Sequence, residues 1–348
     1  MSNVIELKHV SKNFRVLNRR EGFVGSIKDL FSRNYSVVHA VDDISMDISC
    51  GEIIGYLGPN GAGKSTTIKM MTGILQPTFG TILINGCSPY KNRERIAQDI
   101  GVVFGQRSQL WWSLPLVESF RLLKDIYTID DIAYKDMLDI YGSLMDIDSL
   151  LHKTVRQMSL GQRTLSDILA AFLHNPSVVF LDEPTIGLDV SMKSRIRSLI
   201  LALNKEKHTT VVLTTHDMGD VDALCRRVVI IDKGKAIYDN DMEHLKRYFG
   251  TYRTLSVSLD EFCEAQNKKV SKLQREKAEE QIKNMIENFA VYPVMVTFID
   301  GWLSITIDDE KNSVMDILSL IQSRYTIKDI KLEDISTESI IKKIYDGK

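Results

Sequence analysis

The 348 residues contain no uninterrupted apolar run of about 18, the length that crosses a bilayer as a helix. Nothing in the chain is therefore expected to span a membrane. The opening Met1-Ser2-Asn3-Val4-Ile5-Glu6-Leu7 has an early acid and no long apolar core, so no cleavable leader is expected. Cysteine is scarce. Cys50, Cys87, Cys225 and Cys263 are widely spaced and lack metal-ligand spacing. Free thiols in a reducing cytoplasm fit that usage. An excess of one charge is missing too. Against 44 Lys and Arg stand 46 Asp and Glu, which leaves no electrostatic footprint for nucleic acid or a membrane surface. Sustained heptads are absent, since the charged helical segment 261–289 has apolar positions too sparse for a coiled coil. The remaining composition, 44% hydrophobic and 26% charged, is that of a globular protein long enough for two domains.

Against that plain background one stretch stands out: Gly58-Pro59-Asn60-Gly61-Ala62-Gly63-Lys64-Ser65-Thr66. It fits G-x-x-x-x-G-K-[ST], with an apolar strand pattern before it (Ile53, Ile54, Tyr56, Leu57) and a helical one after it (Ile68, Met71, Leu75). The order matters physically. A glycine-rich turn exposes consecutive backbone N–H groups, and the helix that follows aims its positive dipole end at the same anion. Lys64 is placed to reach β- and γ-phosphates and the Ser65 hydroxyl to ligate Mg²⁺. Downstream, Val178-Val179-Phe180-Leu181-Asp182-Glu183-Pro184 reads as a buried parallel strand ending in two carboxylates. Ligands of open α/β sheets bind at that end of the strands. Asp182 is the candidate to hold Mg²⁺ through water. Glu183 is the candidate to orient or deprotonate the attacking water, an effect typically worth ~10²–10⁴ in rate.

Met158-Ser159-Leu160-Gly161-Gln162-Arg163 narrows the class, because it resembles the signature loop of ATP-binding-cassette (ABC) ATPases. The segments around it follow that family's order. Gln106 follows the apolar Val102-Val103-Phe104, as a Q-loop glutamine does, and Gly187-Leu188-Asp189 follows Pro184 like the D-loop. His216 ends the strand Val211-Val212-Leu213-Thr214-Thr215 like the switch histidine. The resemblance covers roughly the first 250 residues and is greatest to the subgroup that energises exporters with ABC-2-type membrane subunits. Three longer phrases carry that narrower match: Gly105 to Trp112, Ser159-Leu160-Gly161-Gln162-Arg163, and Leu181 to Asp189.

The resemblance implies an α/β fold: an ABC-type P-loop nucleotide-binding domain at 1–250 with a helical subdomain at about 108–175. It implies ATP and Mg²⁺ as cofactors. Gly58, Asn60, Gly61, Gly63, Lys64, Ser65 and Thr66 would hold the nucleotide on one side. Ser159, Gly161, Gln162 and Asp189 would meet it from a second copy. Glu183, His216 and Gln106 are the catalytic candidates, and Ser65, Gln106 and Asp182 the metal candidates. The implied assembly is a homodimer on separately encoded integral-membrane permease subunits at the cytoplasmic face, with no nucleic acid partner. The alternative is a soluble ABC ATPase acting on nucleic acid or ribosomes. Such relatives carry two cassettes or a long coiled-coil insertion, and neither is visible here.

Several positions keep two readings. The family places an adenine-stacking aromatic near the first strand (Val4 to Phe14). Phe14 is the candidate, Tyr35 could replace it, and Phe14 could equally be core. Arg15 to Asn34 is an insertion that reads as a solvated loop or as a short basic amphipathic helix. Trp111-Trp112 suits a docking surface or burial against the helical subdomain, where Val117, Phe120, Leu123 and Tyr127, then Met137, Ile140 and Leu144, have helical spacing. Leu160 replaces the family's first signature glycine. That is tolerable only if the backbone there suits a residue with a Cβ. Thr164-Leu165-Ser166-Asp167 is less basic than is usual in the family, which puts hydrolysis rate in question more than binding.

The tail, 251–348, has its own pattern. Leu255 to Leu259 reads as a strand. Glu261 to Phe289 reads as a helix with Val270, Leu273, Ile282, Met285 and Phe289 on one face. Val291 to Ile299 and Trp302 to Ile307 read as a hairpin about Asp300-Gly301. A helix (Val314 to Ile321), a strand (Ile327 to Leu332) and a terminal helix (Ile340 to Tyr345) follow. The order β-α-β-β-α-β suggests a small ferredoxin-like α+β domain, a fold that assigns no function. Dimer support, ligand sensing and control of hydrolysis all fit it.

Overall fold

The computed structural model describes residues 3–17, 35–105, 108–248, 252–259, 272–299, 302–334 and 337–345. The chain divides into two units, Met1–Met242 and Glu243–Lys348. The first unit opens with β1 (Asn3–Leu17), β2 (Tyr35–Ser49), β3 (Ile53–Leu57), α1 (Lys64–Met71), β4 (Phe79–Ile84), α2 (Arg93–Asp99) and β5 (Ile100–Phe104). A helical stretch follows: α3 (Leu116–Ile126), α4 (Asp131–Leu144), α5 (Asp148–Leu151), a 3-10 turn (Val155–Gln157) and α6 (Leu160–Phe172). The chain then returns to the sheet through β6 (Val178–Asp182), α7 (Val190–Lys207), β7 (Thr210–Thr214), α8 (Met218–Leu224), β8 (Arg227–Asp232) and β9 (Lys235–Asp241). The helix α9 (Met242–Tyr248) straddles the boundary.

Two sheets build this unit. One is antiparallel, in the order β2-β1-β4; the other runs β5-β6-β7-β3-β8-β9 and is parallel except for β9. The composition of β3, β6 and β7 explains their central places. Every residue of β3 and β7 is buried, as are Val178 to Leu181 of β6, and a strand covered on both faces needs such a continuous apolar run. Ile68, Met70 and Met71 of α1 share one core with Val4, Ile5 and Leu7 of β1 and Ile54 and Tyr56 of β3. That packing fixes the helix following the glycine loop against both sheets.

The β1–β2 ladder is longer than the sequence pattern suggests. Arg15, Val16 and Leu17 pair with Val37, Ser36 and Tyr35, so the insertion starts three residues later. Its basic remainder, 18–34, lies outside the described residues. In the helical stretch the buried stripe is Leu116, Phe120 and Leu123, then Met137 and Tyr141. Val117 and Ile140 are only half-buried and Leu144 is exposed. Tyr141, absent from the expected stripe, lies 6.4 Å from the Phe120 ring and donates its hydroxyl proton to the Leu169 carbonyl at 2.6 Å.

The second unit contains β10 (Tyr252–Leu259), α10 (Lys272–Phe289), β11 (Met295–Ile299), β12 (Trp302–Asp308), α11 (Val314–Gln322), β13 (Ile327–Asp334) and α12 (Thr337–Tyr345). Its sheet order is β11-β12-β10-β13 with every neighbouring pair antiparallel, which is the ferredoxin-like arrangement of a β-α-β-β-α-β chain. Leu255, Val257, Leu303 and Ile305 pack with Ile282, Ile286, Ile317 and Ile321 in its core. The inward residue near the end of α10 is Ile286, and Phe289 is exposed. Strand β11 starts at Met295 rather than Val291. Ile299 pairs with Trp302 across Asp300-Gly301, two residues that lie outside the described ones.

Candidate nucleotide site

The site begins where β3 ends, at the middle of the parallel sheet. Gly61 and Gly63 have φ of 83° and 109°, the left-handed region where a Cβ is strained. Gly63 is also closed in by a neighbouring strand, because a Cβ there would stand 2.4 Å from the Ala40 carbonyl oxygen. Gly58 is confined likewise, with the Ile231 carbonyl oxygen 2.5 Å from where its Cβ would be. The loop thus holds its shape through backbone contacts. The helix α1 starts at Gly63 with no side-chain cap and no acid in its first turn. Its positive dipole end and first-turn amides are left for an anion. Asn60 and Ser65 are exposed and Thr66 is half-buried.

Lys64 lies almost wholly buried, its ammonium donating to the carbonyls of Gly58 at 2.5 Å and Pro59 at 3.1 Å. Burial lowers its pKa, while the carboxylates of Glu183 and Asp182 pull it back up. That opposition shows the lysine sharing one electrostatic environment with both acids.

The two carboxylates are fixed by different means. Asp182 ends β6 between Phe104 of β5 and Thr214 of β7, and the Thr214 hydroxyl donates to its Oδ1. Glu183 breaks from the strand with φ 53°, rare for a residue with a side chain, and strain of that sort gathers at functional sites. Its own N–H still donates to the Thr214 carbonyl at 2.9 Å. Its Oε1 lies 2.8 Å from Nε2 of His216. Gly105 is packed against the same corner, since a Cβ there would stand 2.7 Å from the Asp182 carbonyl oxygen. The next residue, the candidate Gln106, lies outside the described residues.

A buried network backs this pair. Asp220 accepts from the hydroxyls of Thr185 and, at 2.9 Å, Thr215, and from Arg197 Nε at 2.7 Å. Thr185 lies two residues after Glu183 and Thr215 directly before His216, so one carboxylate steadies both flanks. Sequence reasoning missed Asp220, Arg197 and Thr214. Their signal is faint: hydroxyls and an acid beside motif residues, with partners up to 35 positions away.

The signature residues form a second group. Ser159 caps α6, its Oγ accepting from the Gln162 N–H at 3.2 Å while Gln162 Oε1 accepts from the Ser159 N–H at 3.2 Å. This reciprocal box satisfies amides that α1 leaves open. Leu160 is the first helical residue and has no positive φ, so the position does not require the family's glycine. Gly161 does face a constraint, because a Cβ would sit 2.5 Å from Cγ of Met192 on α7. Asp189 caps α7 through the Met192 N–H at 2.9 Å. Among the described residues no hydrogen bond joins Ser159 to Lys64, Asp182 or Glu183. A cavity of about 570 Å³ opens beside Ser159 and Gln162, with Met145, Met192 and Arg195 also on its wall.

Phe14 is 36% exposed with the Lys12 ammonium 5.3 Å from its ring centre, so it is not core. It pairs with Val38, two residues from the Ala40 carbonyl that abuts Gly63. Tyr35 is five residues from Ala40 along the strand, roughly 16 Å. Of the two aromatics, Phe14 is the nearer to the glycine loop along the ladder.

Hard oxygen donors suit Mg²⁺, and Ser65 and Asp182 supply a hydroxyl and a carboxylate. Among the described residues no cluster of three His, Cys, Asp or Glu could hold a metal.

A family model described as ABC transporter matches residues 41–186. The chain is 32% identical to the ABC transporter ATP-binding protein NatA of Bacillus subtilis, over 62% of this chain and 87% of that one. It is 32% identical to the bacitracin transport ATP-binding protein BcrA of Bacillus licheniformis, over 65% of this chain and 73% of the relative. Among solved structures, it is similar to cbiO1 from Clostridium perfringens, part of the ABC transporter complex cbiONQ. That match has a TM-score of 0.58 and 25% identity, over 72% of this chain and 92% of the other. A dimeric ATP-binding cassette solved in a post-hydrolysis state with ADP and Pi shares the fold. Its TM-score is 0.55 at 21% identity, over 68% of this chain and 98% of that one.

Proposed function

The chain belongs to the ABC transporter ATP-binding family and is an ATPase subunit of that kind, and from this premise we propose that it works as a homodimer driving separately encoded export permeases. The observation that carries the dimer is the division of the site. One chain holds an uncapped helix N-terminus with Lys64, Asp182, Glu183 and His216, and a capped one bearing Ser159 that no hydrogen bond among the described residues joins to them. A hydroxyl that accepts from the Gln162 amide keeps its own proton to donate. Ser159 of a second copy can therefore bind the γ-phosphate that Lys64 and the α1 amides hold in the first. The same phrases that resemble the ABC-2 subgroup support export.

In this reading the nucleotide phosphates lie against Gly58, Asn60, Gly61, Gly63, Lys64, Ser65 and Thr66, and Phe14 stacks on adenine, a contact worth roughly 1–3 kcal/mol by analogy with nucleobases. Ser65, Asp182 and Gln106 are the residues that would hold Mg²⁺, which would neutralise phosphate charge there. Glu183 positions the attacking water. With Oε1 engaged by His216, Oε2 is left to accept the water's proton. Gly161, Gln162 and Asp189 shape the face that meets the partner copy. Loss of the γ-phosphate removes the contact shared by two chains, so ATP favours the closed pair only by its differential affinity for that state. No helix among the described residues is long and apolar enough to cross a membrane. The permease is reached instead by docking at the cytoplasmic face. Trp111 and Trp112 are both exposed just after the Q-loop position and suit that contact.

Glu183→Gln tests the reading. With ATP it should elute as a dimer in light-scattering chromatography and hydrolyse ~10²–10⁴ times more slowly than the native chain. A monomer under those conditions refutes the shared site. Undiminished turnover refutes the role of Glu183.

A further inference from the structure

Asp167 lies two turns into α6, among the buried Leu165, Ile168 and Leu169, and is itself only 7% exposed. A carboxylate in an apolar stripe is costly to bury unless it is hydrogen-bonded, and a leucine would fill the place at less cost. Its partners all come from the stretch that follows β5. The Ser108 hydroxyl donates to Oδ1 at 2.9 Å, and the Gln109 N–H donates to the same oxygen at 3.1 Å. The Gln109 side-chain amide donates to the Asp167 backbone carbonyl at 3.1 Å. One turn earlier on the helix, the Arg163 guanidinium lies 4.2 Å from the Trp112 ring centre. Two successive turns of α6 thus grip residues 108–112. Burial pushes the Asp167 carboxyl up to about 6, against the pull of Ser108, Gln109 and Arg163.

The held segment starts three residues after Gly105, which is packed on the carbonyls of Asp182 and Glu183. Three residues reach at most about 11 Å. Ser159, at the start of α6, is eight residues before Asp167, about 12 Å along a rigid helix. We propose that Asp167 is a positioning residue for hydrolysis, a latch that fastens the 108–109 segment to the signature helix so that the helix's position is passed to Gly105 beside the catalytic carboxylates. The latch acts through its oxygen acceptor and does not require its charge. It rests on the reading above only where it takes α6 to respond to the second copy.

The test uses the full chain with substitutions of matched size. Asp167→Leu removes the acceptor and should lower kcat about tenfold or more, as a displacement of catalytic geometry does, with nucleotide Kd changed less than about threefold. Asp167→Asn keeps the oxygen and should retain kcat within about threefold. Ser108→Ala should lower kcat less, and combined with Asp167→Leu it should add nothing further, since both break one contact. The latch is overturned if Asn is as damaging as Leu, if the two losses multiply, or if Leu lowers ATP affinity and kcat together. A thermal midpoint measured for each variant separates misfolding from a lost latch. If Asp167→Leu unfolds, Ser108→Ala must still lower kcat by the same factor in the native chain and in Asp167→Asn, which keeps the accepting oxygen, and a loss that vanishes in the Asn chain overturns the latch. Failure of Glu183→Gln to dimerise would remove the second copy and leave these kcat comparisons standing.

Discussion

The two helix N-termini that the proposed function assigns to nucleotide are built in opposite ways. The helix α1 opens on Gly63, whose φ of 109° and close contact with Ala40 exclude any side chain, and no cap covers its first amides. The helix α6 opens on Ser159, tied to Gln162 in a reciprocal box. An anion arriving at α1 displaces no cap. At α6 the Gln162 amide is already satisfied, so what remains is a hydroxyl proton and a weaker dipole contribution. Under the proposed function the first terminus therefore binds alone, and the second adds to something already bound.

The comparison breaks most visibly at Ser159. Asp at this position keeps a capping oxygen but faces phosphate with a negative charge, so Ser159→Asp should retain the helix and lose turnover by about 10²–10³. Ser159→Ala loses the cap as well, at about 1 kcal/mol of stability. Denaturation midpoints and steady-state hydrolysis of both variants decide. Native turnover in Ser159→Asp would mean that the second terminus never meets phosphate.

A medium effect separates α6 from α1 by titration. Asp167 is raised to about 6 by burial, and His174, just past the helix, is lowered to about 4 by burial. His174 is stacked on Tyr127 at 3.9 Å, with Nε2 3.1 Å from the Ile100 carbonyl oxygen and the Asp99 charge opposing its shift. The signs differ. A carboxyl with a raised folded pKa binds more protons folded than unfolded, so its contribution is lost as pH rises from about 4 to 6. A histidine with a lowered folded pKa binds fewer, so its contribution is lost as pH falls from about 6.5 to 4. Each shift is roughly 2 units, or about 3 kcal/mol, and the two largely cancel. Asp167→Asn removes one of them. It should be more stable than the native chain at pH 8 and lose stability more steeply between pH 6.5 and 4, as read by urea midpoints. Parallel curves for the two proteins would contradict this.

The smallest effect sharpens the contrast between Gly63 and Leu160. Leu160 has ordinary helical geometry, so Leu160→Gly should cost about 0.5–1 kcal/mol and leave hydrolysis within about twofold. A large gain in turnover would show that the leucine restrains the site.

Local features were the legible ones. The glycine loop, the apolar run into Asp182 and the strand before His216 each lie within nine residues, and their spacing alone states where backbone and charge must go. Relations between distant segments were not legible. Nothing near Asp182 announces that Thr214 will hold it, and a dihedral of 53° at Glu183 has no compositional mark because the residue is there for its carboxylate. Asp167 read only as a departure from a basic pattern, since its partners lie 58 and 59 positions away. Leu17 and Phe289 failed for a different reason. Alternation and helical spacing report which side chains are apolar, whereas where a ladder stops or a helix meets its sheet is set by neighbours.

The Lys64 ammonium has two oxygens of its own chain as partners, those of Gly58 and Pro59. To draw it away, an incoming molecule must offer oxygens that compete with both, and a bare nucleoside has no phosphoryl group to offer. Under the proposed function, discrimination at this loop is consequently an exchange of partners by one cation.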